Sequence, residues 1–497
     1  MRAFVLILLA AFLNASTLAM AGQPFNPVTT DLPSAINSQL PDLGSPANAM
    51  VNRTEQFQIG YGAMLQLRQQ HALFEDPETE EYIEQIGQRL ASQSTQGGGD
   101  FHYLVLKSDE PNSFAVSGGF VFIFTGAISL SHTESELAGV MSHETAHITQ
   151  NHLARGAQQQ QQASIASMAA MLAAVLLGAL GGGGGDAIEG GMVASQGLAQ
   201  QSIIDFTRSE EEEADRVGIG YLAAAGFDPE GMADYFERFT EWRGIQNSWV
   251  PQVLIDHPPD TDRIAEQRAR AAQFPPTPNT SSPDYYLIRE RARVLTAPGD
   301  EDIQRKYAQR IADGDHSLGT MYGDALALMQ NSQYAQAVPI LRKLVATHSN
   351  LHLLYATLGQ AQAKAGQMNQ ALATFRLAME LFPRNVPITI RYAQALMLDG
   401  KNAQAHDVLL DLFNNVQPTP DQIQLTAQAA SAAGDVGDAY YYMGEYQIAD
   451  GNLPLAAQQY KLALATPHLT NVQRKRISAR LQEVRDYLAS ARQRHSE

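Results

Sequence analysis

Ala337, Ala371 and Ala405 stand 34 residues apart, and Gly366 and Gly400 repeat the same interval. A period of this length confines a chain to few shapes. Each repeat is one supersecondary unit that cannot bury its apolar face alone and must stack on its neighbours. In the middle unit Tyr355, Leu358, Gly359, Ala371, Phe375, Ala378 and Pro383 mix small and large side chains. The small residues let paired helices approach, and the large ones fill the groove between them. A further unit centres on Gly444, Ala456, Tyr460 and Ala463. Ala456 follows Ala405 by 51 residues, so an extra helix, at about residues 420–433, interrupts the register. The C-terminal part therefore reads as an all-α solenoid of helix pairs. Such arrays present a concave surface that usually binds a protein, although they also serve as plain braces.

The chemistry lies in Ser142-His143-Glu144-Thr145-Ala146-His147. Two histidines four apart on a helix share one face, where one Zn²⁺ can take both imidazoles. Glu144 then sits beside the metal, placed to take a proton from a coordinated water. The same pattern also fits a surface helix with two solvated histidines. Its approach favours a built helix: Thr133 with Glu136 makes a capping box, and acidic residues crowd the first turn. Leu137, Val140, Met141 and Ile148 supply an apolar stripe. The expected helix runs about five turns and stops at Gly156.

A zinc hydrolase needs a third protein ligand and an open fourth position. The chain has no cysteine, which leaves His, Asp and Glu. Between Arg208 and Arg216, Glu211 and Asp215 stand at i and i+4, on one helix face. Glu211 could reach the metal while Asp215 holds a ligand histidine by its other ring nitrogen. A solvated acidic helix start is the competing reading, since runs of glutamate are usually that.

HETAH followed by ExxAD resembles the zinc peptidase family that contains the CAAX prenyl protease and HtpX, especially its secreted, repeat-bearing branch. The resemblance covers nearly all of the chain beyond its leader. It includes Asn112-Ser113-Phe114-Ala115-Val116-Ser117-Gly118-Gly119, similar to the family's strand segment before the zinc helix, and His257-Pro258-Pro259 with Arg263. The middle repeat falls on the tetratricopeptide positions. The resemblance implies one Zn²⁺ per chain on His143, His147 and Glu211, the glutamate opening ExxAD being the family's ligand. It sets Arg263 behind that third ligand. His152 matches a histidine often found on the zinc helix, and is read as supporting or packing, not as a ligand. Unfolded or stalled outer-membrane proteins are the implied substrates, and the barrel-assembly machinery the implied dock for the repeats. Membrane-embedded relatives carry spanning helices between the two motifs, so peripheral membrane contact stays open.

Met1-Arg2, an apolar run from Ala3 to Leu13 and Ala19-Met20-Ala21 have the form of a cleaved signal peptide. Eleven apolar residues are too few to span a bilayer. With no cysteine to carry a lipid, this points to the periplasm. A length of 497 residues suggests two or three domains, and a formal charge of −18 argues against nucleic acid as a partner.

Residues 22 to about 50 read as an arm with no assigned function. A helical pattern follows from Glu55 to Ala91, then a strand from Phe101 to Leu106. Phe120–Phe124 is a strong β run entered by a turn or bulge at Gly118-Gly119. Its free edge would pair with an extended substrate and lay a scissile amide over the metal; an ordinary core strand is the alternative. After the zinc helix come a glutamine tract at 158–162, an apolar stretch at 165–180 and five glycines at 181–185. This insert suits a packed helix, a mobile cover over the cleft or a segment inserted in lipid. Asp228 and Pro229 read as the cap and first position of a helix carrying Met232, Tyr235 and Phe236. The proline after His257 fixes that histidine's direction. It could stabilise an oxyanion, hold the metal in a latent state, or do neither. Residues 275–283 form a stiff linker, and 284 to about 315 look helical.

The resulting expectation is an α+β chain. A signal peptide (1–21) precedes a mainly helical zincin-type domain with a small sheet (22–274). A linker and joining helix (275–315) lead to the tetratricopeptide solenoid (316–497). The expected activity is that of a periplasmic zinc metalloendopeptidase. Glu144 deprotonates the attacking water and returns the proton to the leaving amine. Its rivals are a chaperone or assembly scaffold with a latent zinc site, and a zinc amidase acting on cell wall.

Overall fold

The computed structural model describes residues 53–94, 101–155, 208–245, 261–278, 280–297 and 302–494. The expected signal peptide (1–21), the arm at 22–50, the insert at 158–185 and His257 lie outside the described residues. Two helices, α1 (Arg53–Gln69) and α2 (Pro77–Ala91), precede a three-stranded sheet of β1 (His102–Leu106), β2 (Ser113–Val116) and β3 (Phe120–Phe124). Its order is β1-β3-β2, with β1 parallel and β2 antiparallel to β3. Gly118 and Gly119, at φ +87° and +90°, turn β2 into β3. That left-handed pair is one that side chains beyond glycine adopt only with strain.

β3 is apolar at every position because both of its faces are covered. Phe120, Phe122 and Phe124 join Ala63, Met64 and Leu67 of α1 in one cluster. Val121 and Ile123 join the main core with residues of α2 and with Leu137, Val140 and Met141. The expectation of a substrate edge on β3 is thereby corrected. It is the central strand, hydrogen-bonded on both sides. The edges are β1 and β2, and among the described residues no strand pairs with the outer side of β2.

After α3 (Thr125–Leu130) comes α4 (Glu134–Thr149), which carries the HETAH motif. Thr133 caps it by accepting the Glu136 amide at 3.2 Å, while Glu136 Oε2 accepts the amide of His132 at 2.8 Å. The helix ends before the expected Gly156. Asn151 takes φ +53°, a left-handed conformation that asparagine tolerates, and residues 152–155 are helical again beyond this break. His152 is therefore not on α4.

α5 (Arg208–Ala224) lies along α4. A Cβ added to Gly218 would stand 3.1 Å from the Ser142 carbonyl oxygen and 3.2 Å from His143 Cα, so the two backbones nearly touch at the level of the histidines. α6 (Gly231–Ile245) starts later than Asp228-Pro229 suggested. Asp228 instead spends its carboxylate on a local turn, accepting the Glu230 amide at 3.1 Å. Met232, Tyr235 and Phe236 are buried as their spacing requires. α7 (Thr261–Ala271) closes this region.

The C-terminal half runs from α8 (Pro283–Leu295) and α9 (Ile303–Ala312) through α10 (Leu318–Gln330), α11 (Tyr334–Thr347), α12 (His352–Lys364), α13 (Met368–Leu381), α14 (Val386–Leu398) and α15 (Asn402–Phe413). It ends with α16 (Pro420–Ala433), α17 (Val436–Ala449), α18 (Leu453–Ala465) and α19 (Asn471–Arg494). A Cβ on Gly359 of α12 would meet the Phe375 ring of α13 at 2.4 Å, which is the small-against-large packing the period implied. α16 is the extra helix. The architecture is thus mostly helical, a small α+β unit followed by an all-α tetratricopeptide-like solenoid. Among the described residues no helix is long and apolar enough to cross a membrane.

The two halves share one core, in which Ile83, Leu137 and Met141 belong with Tyr285, Tyr322 and Leu354. At its centre α8, α10 and α14 close on the acidic start of α2. Arg291 Nε donates to Asp76 Oδ2 at 2.9 Å and Nη2 to Glu78 Oε2 at 3.1 Å. Arg391 Nε donates to Glu78 Oε1 at 2.9 Å and Nη2 to Asp76 Oδ1 at 3.1 Å. The Tyr322 hydroxyl accepts from Arg291 at 3.0 Å. Burial alone would raise the Asp76 carboxyl, but Arg291 and then Arg391 hold it well below the usual carboxylate range. His352 of α12 adds an ion pair to Glu81 at 3.2 Å.

Candidate metal centre

α4 presents His143, Glu144 and His147, all buried, toward β2 and α5. His143 Nε2 and His147 Nε2 are 3.0 Å apart. Glu211 Oε2 is 3.5 Å from His143 Nε2, and Glu211 Oε1 is 3.5 Å from His147 Nε2. One ligand atom from each of the three residues lies within 4.8 Å of the other two, close enough for a single ion to take all three. His143, His147 and Glu211 are the metal-capable cluster found among the described residues.

The outer hydrogen bonds assign the tautomers. His143 Nδ1 lies 3.0 Å from Asp215 Oδ1, so it carries the proton and leaves the Nε2 lone pair facing inward. His147 Nδ1 lies 2.9 Å from His152 Nδ1, and His152 Nε2 lies 3.2 Å from Glu213 Oε2. Glu213 can only accept, so His152 donates to it, accepts from His147, and leaves the second Nε2 lone pair facing the first. Two lone pairs and a carboxylate aimed at one point repel unless a cation lies between them.

The charge balance agrees. Arg263 of α7 forks onto Asp215 at 2.9 and 3.0 Å, and its Nη1 reaches Glu211 Oε2 at 2.8 Å. One guanidinium faces two buried carboxylates. Burial disfavours a charged imidazole, but Asp215 and Glu211 outweigh it and push His143 up to about 10 when only a proton is there to balance them. Burial would raise Asp215, yet His143 and Arg263 keep it low. The donor set therefore fits a divalent cation, which replaces that proton.

Glu144, next to His143 on α4, is also buried, and its Oε1 accepts a hydrogen bond from Ser113 Oγ of β2 at 2.7 Å. The structure thus brings together His143, Glu144, His147, Glu211, Asp215 and His152. Three contributors carried no expected role. Ser113 and Glu213 lie inside the two motifs, and Arg155, just beyond Asn151, bonds Glu213 at 2.7 Å. Only a period-2 reading of β2, which turns Ser113 away from the side of Phe114, would have pointed to Ser113.

Fold and centre together define a metallopeptidase joined to a tetratricopeptide solenoid. Residues 77–271 match the model of Peptidase family M48, and 362–429 match that of the tetratricopeptide repeat. The beta-barrel assembly-enhancing protease of Escherichia coli is 30% identical over 90% of this chain and 91% of its own. The putative beta-barrel assembly-enhancing protease of Vibrio cholerae is 31% identical over 90% and 92%. A mitochondrial metalloendopeptidase of Schizosaccharomyces pombe is 28% identical over 37% and 50%. The chain belongs to peptidase family M48.

Proposed function

We propose that this chain is a zinc endopeptidase cleaving extended, unfolded polypeptide. The observation that carries this reading is the pair of Nε2 lone pairs turned onto one point with Glu211, beside a buried glutamate. His143, His147 and Glu211 would hold the ion. Bound zinc supplies a Lewis acid that polarises the scissile carbonyl and makes water acidic. Glu144 takes the proton of the attacking water on its carboxylate and returns it to the departing amine. Asp215 and His152 keep the two imidazoles in the tautomer that faces inward. The outer side of β2 is the edge on which an extended substrate adds as a strand, in place of β3.

The names of the relatives tie them to beta-barrel assembly; we take misfolded or stalled outer-membrane proteins as the substrates on the family resemblance, and the leader supports the periplasm. The solenoid docks on the barrel-assembly machinery and thereby aids assembly as well as degradation. Since α10, α12 and α14 are committed to α2, that docking falls to other surfaces of the solenoid. The division at residues 275–283 marks where the peptidase domain (22–274) hands over to a joining segment (275–315) and the solenoid (316–497). His257 is proposed to face the centre as an oxyanion donor or a latency ligand.

The test is casein cleavage by full-length protein supplied with Zn²⁺. Glu144→Gln should keep one metal per chain and lose about 10²–10⁴-fold in rate. Full cellular function of that variant, with no cleavage detectable in wild type, would favour the scaffold instead.

A further inference from the structure

Ser113 starts the edge strand β2, opposite Ile123 of β3. Phe114 and Val116 point to the α1 side of the sheet and lie in its cluster. By alternation Ser113 points the other way, toward α4, where its strand neighbours Val121 and Ile123 are aliphatic. A hydroxyl in such surroundings needs a partner, because an unmatched buried hydroxyl is costly. The partner is Glu144 Oε1 at 2.7 Å, and Ser113 and Glu144 are 4% and 1% exposed.

We infer that Ser113 is a positioning residue for Glu144: its hydroxyl fixes the carboxylate beside the metal-binding cluster and stays bonded as the proton is taken up and returned. This rests on the peptidase reading above. The choice of group has a chemical reason. A base that becomes an acid within one cycle must be held in both forms. A serine hydroxyl donates to the carboxylate, then rotates and accepts from the carboxylic acid, which an ammonium or guanidinium cannot do. The backbone of the same residue belongs to the strand on which substrate would pair. Strand and base are thereby kept in one register.

The experiment uses full-length protein with Zn²⁺ and unfolded casein. Ser113→Ala should lower kcat by about ten- to a hundredfold, the worth of one hydrogen bond to a charged group. KM and metal per chain should stay at wild-type values. Ser113→Thr, which keeps the hydroxyl, should restore most of kcat. A wild-type kcat in Ser113→Ala, or an equal fall in both variants, overturns the inference. Should wild type itself fail to cleave, the peptidase reading falls separately. Ser113 is then judged by urea unfolding. Ser113→Ala should lower the midpoint in the wild-type background and barely move it in Glu144→Ala. Equal shifts in the two backgrounds would overturn the pairing itself.

Discussion

Arg291→Met is the sharpest test of how the two halves are joined. The guanidinium is 2% exposed and binds Asp76 and Glu78 of α2, while α2 packs on β1 and the zinc helix. Methionine keeps much of the volume and removes the charge. Two buried carboxylates are then left to Arg391. Breaking a buried pair from one side costs about 3–5 kcal/mol. At roughly 2 °C per kcal/mol, the low end for a large cooperative unit, the melting temperature should fall by about 6–10 °C. Because one core spans both halves, calorimetry should show a single transition moving as a whole, with metal binding lost in step. In wild type the lowered Asp76 pKa contributes stability above about pH 4 that is lost as pH falls through the folded value. The variant lacks much of that contribution, so the gap should be widest near neutral pH and narrow in acid. A solenoid that melts alone, leaving metal binding at full strength, would refute the reasoning.

Asp215→Asn should weaken zinc binding by about 10–100-fold in a chelator competition, since His143 loses the carboxylate that sets its tautomer. Gly218→Ala drives a methyl against the Met232 methyl and the α4 backbone. It should cost about 1–3 kcal/mol in urea unfolding and weaken zinc binding as Glu211 is pushed back. Burial, then Asp76, Glu75 and Asp421, push Glu80 up to about 8. A raised carboxyl stabilises the fold while protonated, and that stability is lost as pH rises through the folded value. Glu80→Gln should therefore melt like wild type near pH 5 and higher than wild type near pH ~8.5.

The parts legible in the sequence were those with a period. His143 and His147, Glu211 and Asp215, and Gly359 with Phe375 sit at helical or repeat spacings, and a spacing survives without knowledge of the rest of the chain. The run at 120–124 reads as a strand from its residues alone, but whether a strand is central depends on partners elsewhere. Its unbroken apolarity was the clue that both faces are covered. The early end of α4 turns on Asn151, where neither glycine nor proline marks a stop. Asp76 and Arg391 lie 315 residues apart, and no local pattern announces such a pair. Ser113 was visible only as a letter in a motif, since its partner is set by how β2 meets α4.

That long separation has a consequence for how the molecule is born. Arg291 is made 215 residues after Asp76, and Arg391 a further hundred later. Contacts so remote form late, after loop closure on a large scale. Until the second arginine is available, the start of α2 holds buried acids with half their counter-charge, and the sheet and zinc helix resting on it lack a finished support. Emergence of the chain thus imposes its own delay: an incomplete chain should not yet hold His143, His147 and Glu211 on one point.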